Sequence, residues 1–522
     1  MRKVGEVVAI LWHENRKEFH KVCKGNYGRK VIYTNKKEIN RDNVMEVFEK
    51  ALPIHNQNRR EIDYLYHYVG GDQPILYRSK DVRPEIINNV VENHALEIVR
   101  FMTAQTYGEP IQYVSMKGKE NLSEEIDKIN DYMRNIDKPY YDVLIGDWQS
   151  TCGTAYRTTW SVPKNQNKER GMPAMRIDCA DPRDNFIVYS SSYGHEAMAS
   201  FSRCYNEEDE EYWLCTTPKR VFVIKDNKID SNTPNGHGRI LLVEYPNNVR
   251  RLSDVEIVIT MLDSINKIQS NRVDGIEQFV QAFIKFVNCE IDENTFLKMC
   301  KLGALSVKTV NPSMPAEVGM VSSQLDQEQT QVSKDDLYKN MLIIEGMPSR
   351  EQNTGGDTGQ AVYLRNGWDF AEQRAKIDEP VTIKSEKEFL RIALNILKTK
   401  QQISDEIEVS DIDVKITRNN TDNMLVKAQA LIYLLEKGIH PKIAIRTVGL
   451  WSDPEKVYLE SKPCLDAKYN ASEGMKNKLE LFIQCLNAGF GVEEAGKKAG
   501  LGEIDISNNP NFSKWDYVSD EE

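Results

Sequence analysis

One segment near the C-terminus comes close to a phosphate-binding loop. Residues Gly491–Lys498 read G-V-E-E-A-G-K-K. In the pattern G-x-x-x-x-G-K-[ST], backbone amides cradle phosphates and the final hydroxyl binds magnesium. Here Lys498 occupies the hydroxyl position, and the segment follows a helical pattern, whereas the motif needs a preceding strand. We therefore interpret the match as coincidental and expect no ATP hydrolysis by this chain.

Residue types that bind metals or act as nucleophiles show no recognisable spacing. His13 and His20 are two helical turns apart, and His13-Glu14 lacks the second histidine of H-E-x-x-H. The nine cysteines are widely spaced without a C-x-x-C, which indicates reduced thiols. No G-x-S-x-G occurs, and no carboxylate pair stands out as general acid and base. The sequence thus predicts no catalytic residue, metal or cofactor, and a protein that is not an enzyme.

The distribution of charge further limits the kinds of protein and partner that fit this sequence. The chain has 68 basic and 79 acidic residues, a net charge of −11, which does not suit a general nucleic-acid coat but would suit a surface that avoids sticking to DNA. Residues 1–41 are locally basic, which indicates either a solvated segment or an arm that touches nucleic acid or an acidic partner. Residues 501–522 look like an acidic tail. No apolar run reaches 18 residues, so we expect no contact with a membrane.

The first half of the chain mixes helical and extended patterns. Residues 152–245 read as short strands with turns, for example Ala155–Trp160, Phe186–Tyr189 and Arg220–Lys225. Pro74–Tyr77, after the turn signal Gly70-Gly71-Asp72, also reads as extended. These patterns predict an α+β fold that is predominantly helical.

The pattern changes after Pro246. Apolar residues recur at three- and four-residue steps from 252 to 287, which predicts one very long helix. Strand-like pieces follow over 288–325, then a second helix over 326–345 and a polar, glycine-bearing loop over 346–359. A third long helix is expected from 360, with Pro380 inside it as a source of a kink. Residues 407–417 alternate as a half-buried strand does.

The helical C-terminal part contains a repeat. Gly438, Ala444, Gly449 and Leu450 correspond to Gly489, Ala495, Gly500 and Leu501 with a constant shift of 51 residues. Each copy resembles helix–turn–helix, with a glycine that ends one helix and a small alanine where helices cross. Helix packing is the favoured interpretation, and DNA reading is the alternative, because residues 493–498 are of mixed charge.

The long helices need a partner that one chain does not supply. A helix of 36 residues, about 54 Å at 1.5 Å per residue, must be packed along its length. Copies of the chain placed side by side, as staves of a barrel, would supply this packing. The glycine-bearing loop would then project inward from one end of the staves.

The chain resembles the portal proteins of long-tailed phages that infect Gram-positive bacteria. The resemblance extends from about residue 56 to 460 and rests on the order and spacing of several pieces together. These pieces are Tyr68–Arg78, Asn93–Ala95, Tyr107–Ile111, Cys152–Tyr156, Asp181–Arg183, Phe186–Tyr189, Val243–Asn248, Asp254–Glu256, Met261–Asn266, Ser270-Asn271 and Ile276–Ala282. The basic segment before residue 50 departs from this likeness.

The resemblance implies a portal fold assembled as a ring of identical subunits, typically a dodecamer, at one vertex of the phage capsid. It implies the following division of the chain: a basic N-terminal segment 1–41, a wing 42–250, a stem helix 251–287, a clip 288–325, a second stem helix 326–345, a tunnel loop 346–359, a kinked helix 360–400, a wing strand 401–419 and a helical crown with the acidic tail 420–522.

The resemblance also implies candidate residues for the tunnel loop, the stem and the clip. Candidate tunnel-loop residues are Arg350, Gln352, Asn353, Thr354, Gly355, Gly356 and Asp357; candidate stem residues are Asp254, Glu256, Asp263, Lys267 and Arg272; candidate clip residues are Lys298, Lys301 and Lys308. An acidic ring would repel the phosphate backbone and let DNA slide. Arg350 and Arg365 are expected to make transient phosphate contacts.

The implied function is that of a DNA conduit through which a separate terminase ATPase packages the genome and from which the genome is later ejected. Expected partners are further copies of the chain, double-stranded DNA bound without sequence specificity, the terminase large subunit, a head–tail adaptor, and the major capsid and scaffolding proteins. We expect assembly in the host cytoplasm and residence in the virion. The alternatives are another head-morphogenesis protein, a packaging-associated nuclease, or a DNA-binding regulator that uses the C-terminal repeats.

Overall fold

The computed structural model describes residues 28–501, apart from residues 82, 117–121, 164–170, 281–282, 291–293, 295–307, 312, 316, 322–326, 349–366, 419–423 and 452–453. The chain divides into two compact units, Met1–Asn420 and Thr421–Glu522. The helices of the described part are α1 (Val44–Val69), α2 (His94–Tyr107), α3 (Ser123–Asn135), α4 (Lys138–Cys152), α5 (Asp254–Val280), α6 (Gln327–Glu345), α7 (Trp368–Thr399), α8 (Met424–Glu436), α9 (Pro441–Val448), α10 (Pro454–Asn487) and α11 (Val492–Ala499).

The described strands all belong to the first unit. They are β1 (Ile32–Thr34), β2 (Gln112–Ser115), β3 (Thr154–Ser161), β4 (Met175–Ala180), β5 (Asn185–Ser190), β6 (Ala197–Tyr205), β7 (Glu211–Thr216), β8 (Arg220–Lys225), β9 (Lys228–Pro234), β10 (Leu242–Pro246), β11 (Phe283–Val287), β12 (Cys289–Glu290), β13 (Lys308–Thr309), β14 (Glu317–Val321) and β15 (Ile412–Lys415). The mixture of helix and sheet confirms the predicted α+β class.

A six-stranded sheet forms one core of the first unit. Its order is β1-β5-β6-β7-β8-β9, with β1 parallel to β5 and the other pairs antiparallel. Alternate residues of these strands face α1, where Phe48, Phe186 and Phe201 stack with ring centroids 5.0–5.4 Å apart. Predicted strand Arg220–Lys225 coincides with β8, because its β-branched and aromatic residues favour a strand, and Phe222 and Ile224 are buried on one face.

A second core lies between α7, α3, α4 and two small sheets, β10-β3-β4 and β15-β2. Four charged side chains are buried at its centre. Lys138 Nζ lies 2.7 Å from Asp142 Oδ2 and 2.6 Å from Glu386 Oε1, and the Arg157 guanidinium pairs with Asp142. The Tyr113 and Tyr245 hydroxyls donate to the two oxygens of Glu386, at 2.6 and 2.8 Å. Two cations thus balance two anions inside the core.

The third core lies where the long helices α5 and α6 pack with α1 and α2. Val255, Val258 and Leu262 of α5 are fully buried, as are Met341 and Leu342 of α6. These residues are spaced by three, four and one positions, which puts them on facing sides of two packed helices. The predicted second helix, 326–345, agrees with α6 to one residue.

The prediction of one helix from 252 to 287 is wrong at its C-terminal end. Helix α5 ends at Val280, and Phe283–Val287 form strand β11, antiparallel to β14. The register joins Phe283 to Val321 and Val287 to Glu317. Aromatic and β-branched residues dominate Phe283–Val287 and favour a strand, but only the distant partner strand decides between the two structures.

Two other extended patterns differ from their prediction. Pro74–Tyr77 forms a 3-10 helix, because Pro74 fixes the backbone at its first position. In the predicted strand 407–417, only Ile412–Lys415 pairs, with β2. Val409–Asp411 form a 3-10 turn instead, because the Glu408 side chain and the Asp411 side chain accept hydrogen bonds from each other's backbone.

Helix α7 begins after Gly367 and continues through Pro380 to Thr399; residues 360–366 of the predicted helix lie outside the described residues.

The second unit confirms the internal repeat. Helices α9 and α11 are related by the shift of 51 residues at both ends. Gly438 and Gly489 have φ of +78° and +87°, and Gly449 and Gly500 have φ of +61° and +68°. Ala444 and Ala495 are fully buried. The repeated glycines therefore supply the left-handed turns that close each helix, and the alanines supply the close contact.

The buried charges of the second core give a first prediction. We expect Glu386→Ala to lower the free energy of unfolding of the first unit by about 3–5 kcal/mol, because two buried cations then face one carboxylate. The matched control is Glu388→Ala on the exposed side of the same helix, for which we expect a change within about 0.5 kcal/mol. Urea unfolding followed by tryptophan fluorescence measures both. Equal losses in the two variants would contradict the role assigned to Glu386.

Candidate functional site at the base of the long helices

Helix α5 contains all five candidate stem residues, and its first turn is deeply buried. The Ser253 hydroxyl accepts a hydrogen bond from the Val255 amide (3.1 Å) and donates to the Ser150 carbonyl (2.9 Å). Asp254 and Glu256 follow in the first turn, where the positive end of the helix dipole favours carboxylates. Both side chains are almost completely buried, and each meets an arginine from a distant segment.

Glu256 is neutralised by Arg29. Arg29 Nη2 donates to both oxygens of Glu256, at 2.8 and 2.9 Å, and Nη1 donates to the Cys152 carbonyl at 3.2 Å. Arg29 Nε lies 3.0 Å from Glu61 on α1. Burial alone would lower the pKa of Arg29, but Glu256 and Glu61 outweigh it and raise the pKa. The contact thereby fixes the first described residues of the chain to the start of α5.

Asp254 is neutralised by Arg374 of α7. Arg374 Nη2 lies 2.7 Å from Asp254 Oδ1, which also accepts a hydrogen bond from Asn247 Nδ2 at 2.9 Å. The same Nη2 atom lies 3.6 Å from Glu345 Oε2, at the last residue of α6. One guanidinium therefore joins the beginning of α5, the end of α6 and the first half of α7.

A glycine permits this close packing. Gly346 follows α6 with φ of +64°, and a Cβ atom there would lie 3.1 Å from Arg374 Cδ. The Gly346 and Met347 amides donate to the carbonyls of Ile343 and Leu342, which closes the helix with a Schellman motif. The Arg374 side chain can consequently pass over the end of α6.

A small cavity adjoins the Arg374 contact. It has a volume of about 40 Å³, enough for a water molecule, and it is lined by polar groups that include Asp254, Arg374 and Asp378. The Ser150 hydroxyl and Asp254 Oδ2 border it without a hydrogen-bond partner among the described residues. The composition of this lining favours bound water.

The remaining stem candidates lie further along α5. Asp263 accepts a hydrogen bond from the Tyr68 hydroxyl at 2.9 Å, and Arg272 Nη1 donates to Gln331 of α6 at 2.6 Å. Lys267 is exposed. The structure thus places Asp254, Glu256, Asp263 and Arg272 in contacts within the subunit, and leaves Lys267 facing outward.

The other candidates largely fall outside the described residues. This holds for the tunnel-loop candidates Arg350, Gln352, Asn353, Thr354, Gly355, Gly356 and Asp357, for Arg365, and for the clip candidates Lys298 and Lys301. Lys308 lies in β13, which pairs with β12.

Sequence reasoning missed three residues of this site: Arg29, Glu345 and Arg374. Helical periodicity places Glu345 beside buried Met341 and Leu342, a signal that this acid would be buried. The arginines gave no local signal, because each is separated by more than a hundred residues from its partner on α5.

The described residues contain no group of three or more His, Cys, Asp or Glu side chains arranged to hold a metal ion. Cys152, Cys179, Cys204, Cys215 and Cys485 are free thiols. No helix in the described part is long and apolar enough to cross a bilayer. Within these bounds, the candidate site is a structural junction of long helices.

The Arg374 contacts generate a second prediction. We expect Arg374→Met to lower the free energy of unfolding of the first unit by about 3–5 kcal/mol, since it leaves buried Asp254 and Glu345 without a cation. Adding Asp254→Asn should recover part of this loss, because the two side chains interact directly. Arg391→Met, on the exposed side of α7, serves as the control. Strict additivity of the two losses in a double-mutant cycle would show that the pair is not coupled.

Comparison with known families identifies a match over most of the chain. The family model described as phage portal protein, SPP1 Gp6-like, matches residues 49–463. The matched region begins within α1 and ends within α10. It contains strands β2–β15 and the helices α5, α6 and α7, whereas β1 precedes it. No curated protein matches the chain.

Proposed function

Because the chain belongs to the SPP1 Gp6-like family of phage portal proteins, we propose that it forms a ring that conducts the phage genome through one vertex of the capsid. The family is structural and belongs to the virion capsid. A separate terminase ATPase supplies the power for packaging, and the same conduit serves ejection. The observation that carries the proposal is the family match across the whole of the long-helix junction.

The structure supports an assignment of parts. We assign α5 and α6 to the stem, β11–β14 to the clip, residues 346–359 to the tunnel loop and the unit Thr421–Glu522 to the crown. The α+β layers before α5, together with α7 and β15, correspond to the wing. The terminase and a head–tail adaptor dock on the clip side of the ring, and the capsid and scaffolding proteins surround the wing.

An exposed apolar surface supports the ring. Ile343 and Ile344 at the end of α6 are 73% and 54% exposed, and Phe370 and Ile377 at the start of α7 are 63% and 75% exposed. Ile343 and Ile344 directly precede Glu345, and Phe370 and Ile377 flank Arg374 along α7; Arg374 lies 3.6 Å from Glu345. A cluster of large apolar side chains in water favours association with another surface. We propose that a neighbouring subunit covers this surface, which we call the α6–α7 apolar surface.

Ring formation gives a third prediction. Twelve chains of 60.0 kDa should form closed particles of about 720 kDa with a central hole, observed by mass photometry and negative-stain microscopy. The double variant Ile343→Glu/Ile377→Glu should shift the population toward monomers, because it places charges on the α6–α7 apolar surface. Tyr193→Glu, at a fully exposed loop of the six-stranded sheet, is the matched control.

Three results would each contradict a different part of the proposed function. A monodisperse monomer at every salt and protein concentration would remove its main support. Rings of unchanged abundance in the Ile343→Glu/Ile377→Glu variant would place the subunit contact elsewhere on the chain. Robust nuclease or ATPase activity of the purified chain would instead favour the alternative of a packaging enzyme.

The acidic chain also suggests how DNA slides. The net charge of −11 per subunit repels phosphates, so a few cations can make brief contacts without holding the duplex. Exposed Lys267 on the stem, with Arg350 and Arg365, are the cations that we propose for these contacts.

The proposed phosphate contacts give a fourth prediction. The combined variant Lys267→Ala/Arg350→Ala/Arg365→Ala should assemble rings but yield several-fold fewer DNA-filled particles, because the contacts that guide the duplex are gone. Lys50→Ala, on the exposed side of α1, is the control. Quantitative PCR of nuclease-protected DNA measures packaging. Normal packaging by the triple variant would refute the proposed phosphate contacts.

A further inference from the structure

The junction of α5, α6 and α7 contains more buried acid than its arginine can neutralise. Glu345 is 0% exposed and Asp254 is 1% exposed, and both face the single guanidinium of Arg374. Arg374 Nη2 lies 2.7 Å from Asp254 but 3.6 Å from Glu345. Neither carboxyl oxygen of Glu345 has a hydrogen-bond partner among the described residues. A buried carboxylate in that position is strongly disfavoured.

The helix ends decide which of the two carboxyl groups keeps its charge. Asp254 is the first residue of α5, where the positive end of the helix dipole stabilises an anion. Glu345 is the last residue of α6, where the negative end destabilises one. Asp254 also accepts a hydrogen bond from the Asn247 side chain, whereas the Glu345 carboxyl group accepts none among the described residues. The geometry therefore places the charge on Asp254 and a proton on Glu345.

The surrounding charges do not alter this assignment. On α7, Glu379 is occupied by Arg418, whose Nη1 donates to it at 2.8 Å. Asp378, also on α7, lies near Arg374, and burial raises its pKa to about 6. The described residues that α2 and α4 contribute to the adjoining cavity, such as Met102 and Gln149, carry no charge at neutral pH. No second cation thus compensates Glu345 in the described part of the junction.

We propose that Asp254, Arg374 and Glu345 form a proton-operated latch: with Glu345 protonated the latch holds α7 against α5 and α6, and ionisation of Glu345 loosens that contact. The proposal concerns a single subunit and does not depend on the ring. The direction of the effect follows from the burial of Glu345, which, with repulsion from Asp254, raises its pKa to about 8.

The sign of the pH dependence follows from this displaced pKa. In the open or unfolded state Glu345 releases its proton near pH 4.5, whereas the closed latch retains it until about pH 8. The closed state binds more protons across that interval, so its stability falls as pH rises from about 4.5 to 8 and then levels off. The latch is tightest at the acidic end of the interval.

The test is amide hydrogen exchange of the full-length protein, in the oligomeric state in which it purifies, between pH 7 and pH 9. Peptides that contain residues 338–347 and 368–378 report on the two sides of the latch. After correction for the intrinsic pH dependence of exchange, we expect their protection to fall about tenfold in the unmodified protein. Glu345→Gln mimics the protonated acid, and its protection should change less than twofold. Glu388→Gln, an exposed acid of α7, should behave as the unmodified protein does.

Difference infrared spectroscopy gives a second measurement that does not depend on opening. The unmodified protein should show a protonated carboxyl band that disappears near pH 8 and that Glu345→Gln lacks. An equal loss of protection in Glu345→Gln and in the unmodified protein would overturn the latch. A carboxyl band that persists unchanged in Glu345→Gln would likewise assign the proton to another residue.

Discussion

The packing of the first unit depends on neutralising the carboxylates of one long helix. Asp254 and Glu256 begin α5 inside the protein, and burial of an unpaired charge costs several kcal/mol. Arg374 and Arg29 remove that cost, and they come from opposite ends of the unit. Helix α5 can therefore adopt its buried position only when both distant segments have reached it. The same principle applies further along α5, where Asp274 is paired with Arg78 and Lys80.

Two buried charge clusters show how the ratio of cations to acids determines the pKa of a buried carboxyl group. In the second core, Lys138 and Arg157 balance Asp142 and Glu386; burial would raise the pKa of Glu386, but the two cations hold it at about 2. At the long-helix junction one arginine serves two buried acids, and the pKa of Glu345 is raised to about 8. Glu386 therefore stays ionised at neutral pH. Glu345 changes its charge near pH 8, which gives the latch its sensitivity.

Local composition and spacing predict those elements that carry their own signal. Strand β8 is rich in β-branched and aromatic residues, and apolar residues of α6 recur at helical spacing in its second half, at Tyr338, Met341 and Leu342. The repeated glycines and alanines of the second unit were equally visible, because each glycine is needed for a left-handed turn. Phe283–Val287 were missed because a short apolar run fits either structure and pairing with β14 decides it.

The candidate site, too, is predicted by the sequence in part and depends on long-range contacts for the rest. Acids on α5 could be proposed from the sequence, but their burial and their arginine partners depend on contacts between residues more than a hundred positions apart. The helical spacing of apolar residues shows that Glu345 lies next to buried residues. It does not reveal that Glu345 and Asp254 share the guanidinium of Arg374. Likewise, the family likeness suggests candidate residues on α5, whereas only the three-dimensional contacts distinguish buried Asp254 and Glu256 from exposed Lys267.

These contacts also suggest an order for folding and assembly. Charges inside a low-dielectric core must be paired while the subunit folds, and the described ion pairs at the base of α5 lie within one chain. An apolar side chain exposed to water destabilises the subunit far less than a buried unpaired charge does. The α6–α7 apolar surface consists of such exposed side chains. A subunit built in this way can fold first and associate afterwards. Because Arg374 lies between Phe370 and Ile377 along α7 and contacts Glu345, the state of the latch and the position of that surface on α7 are linked through one helix.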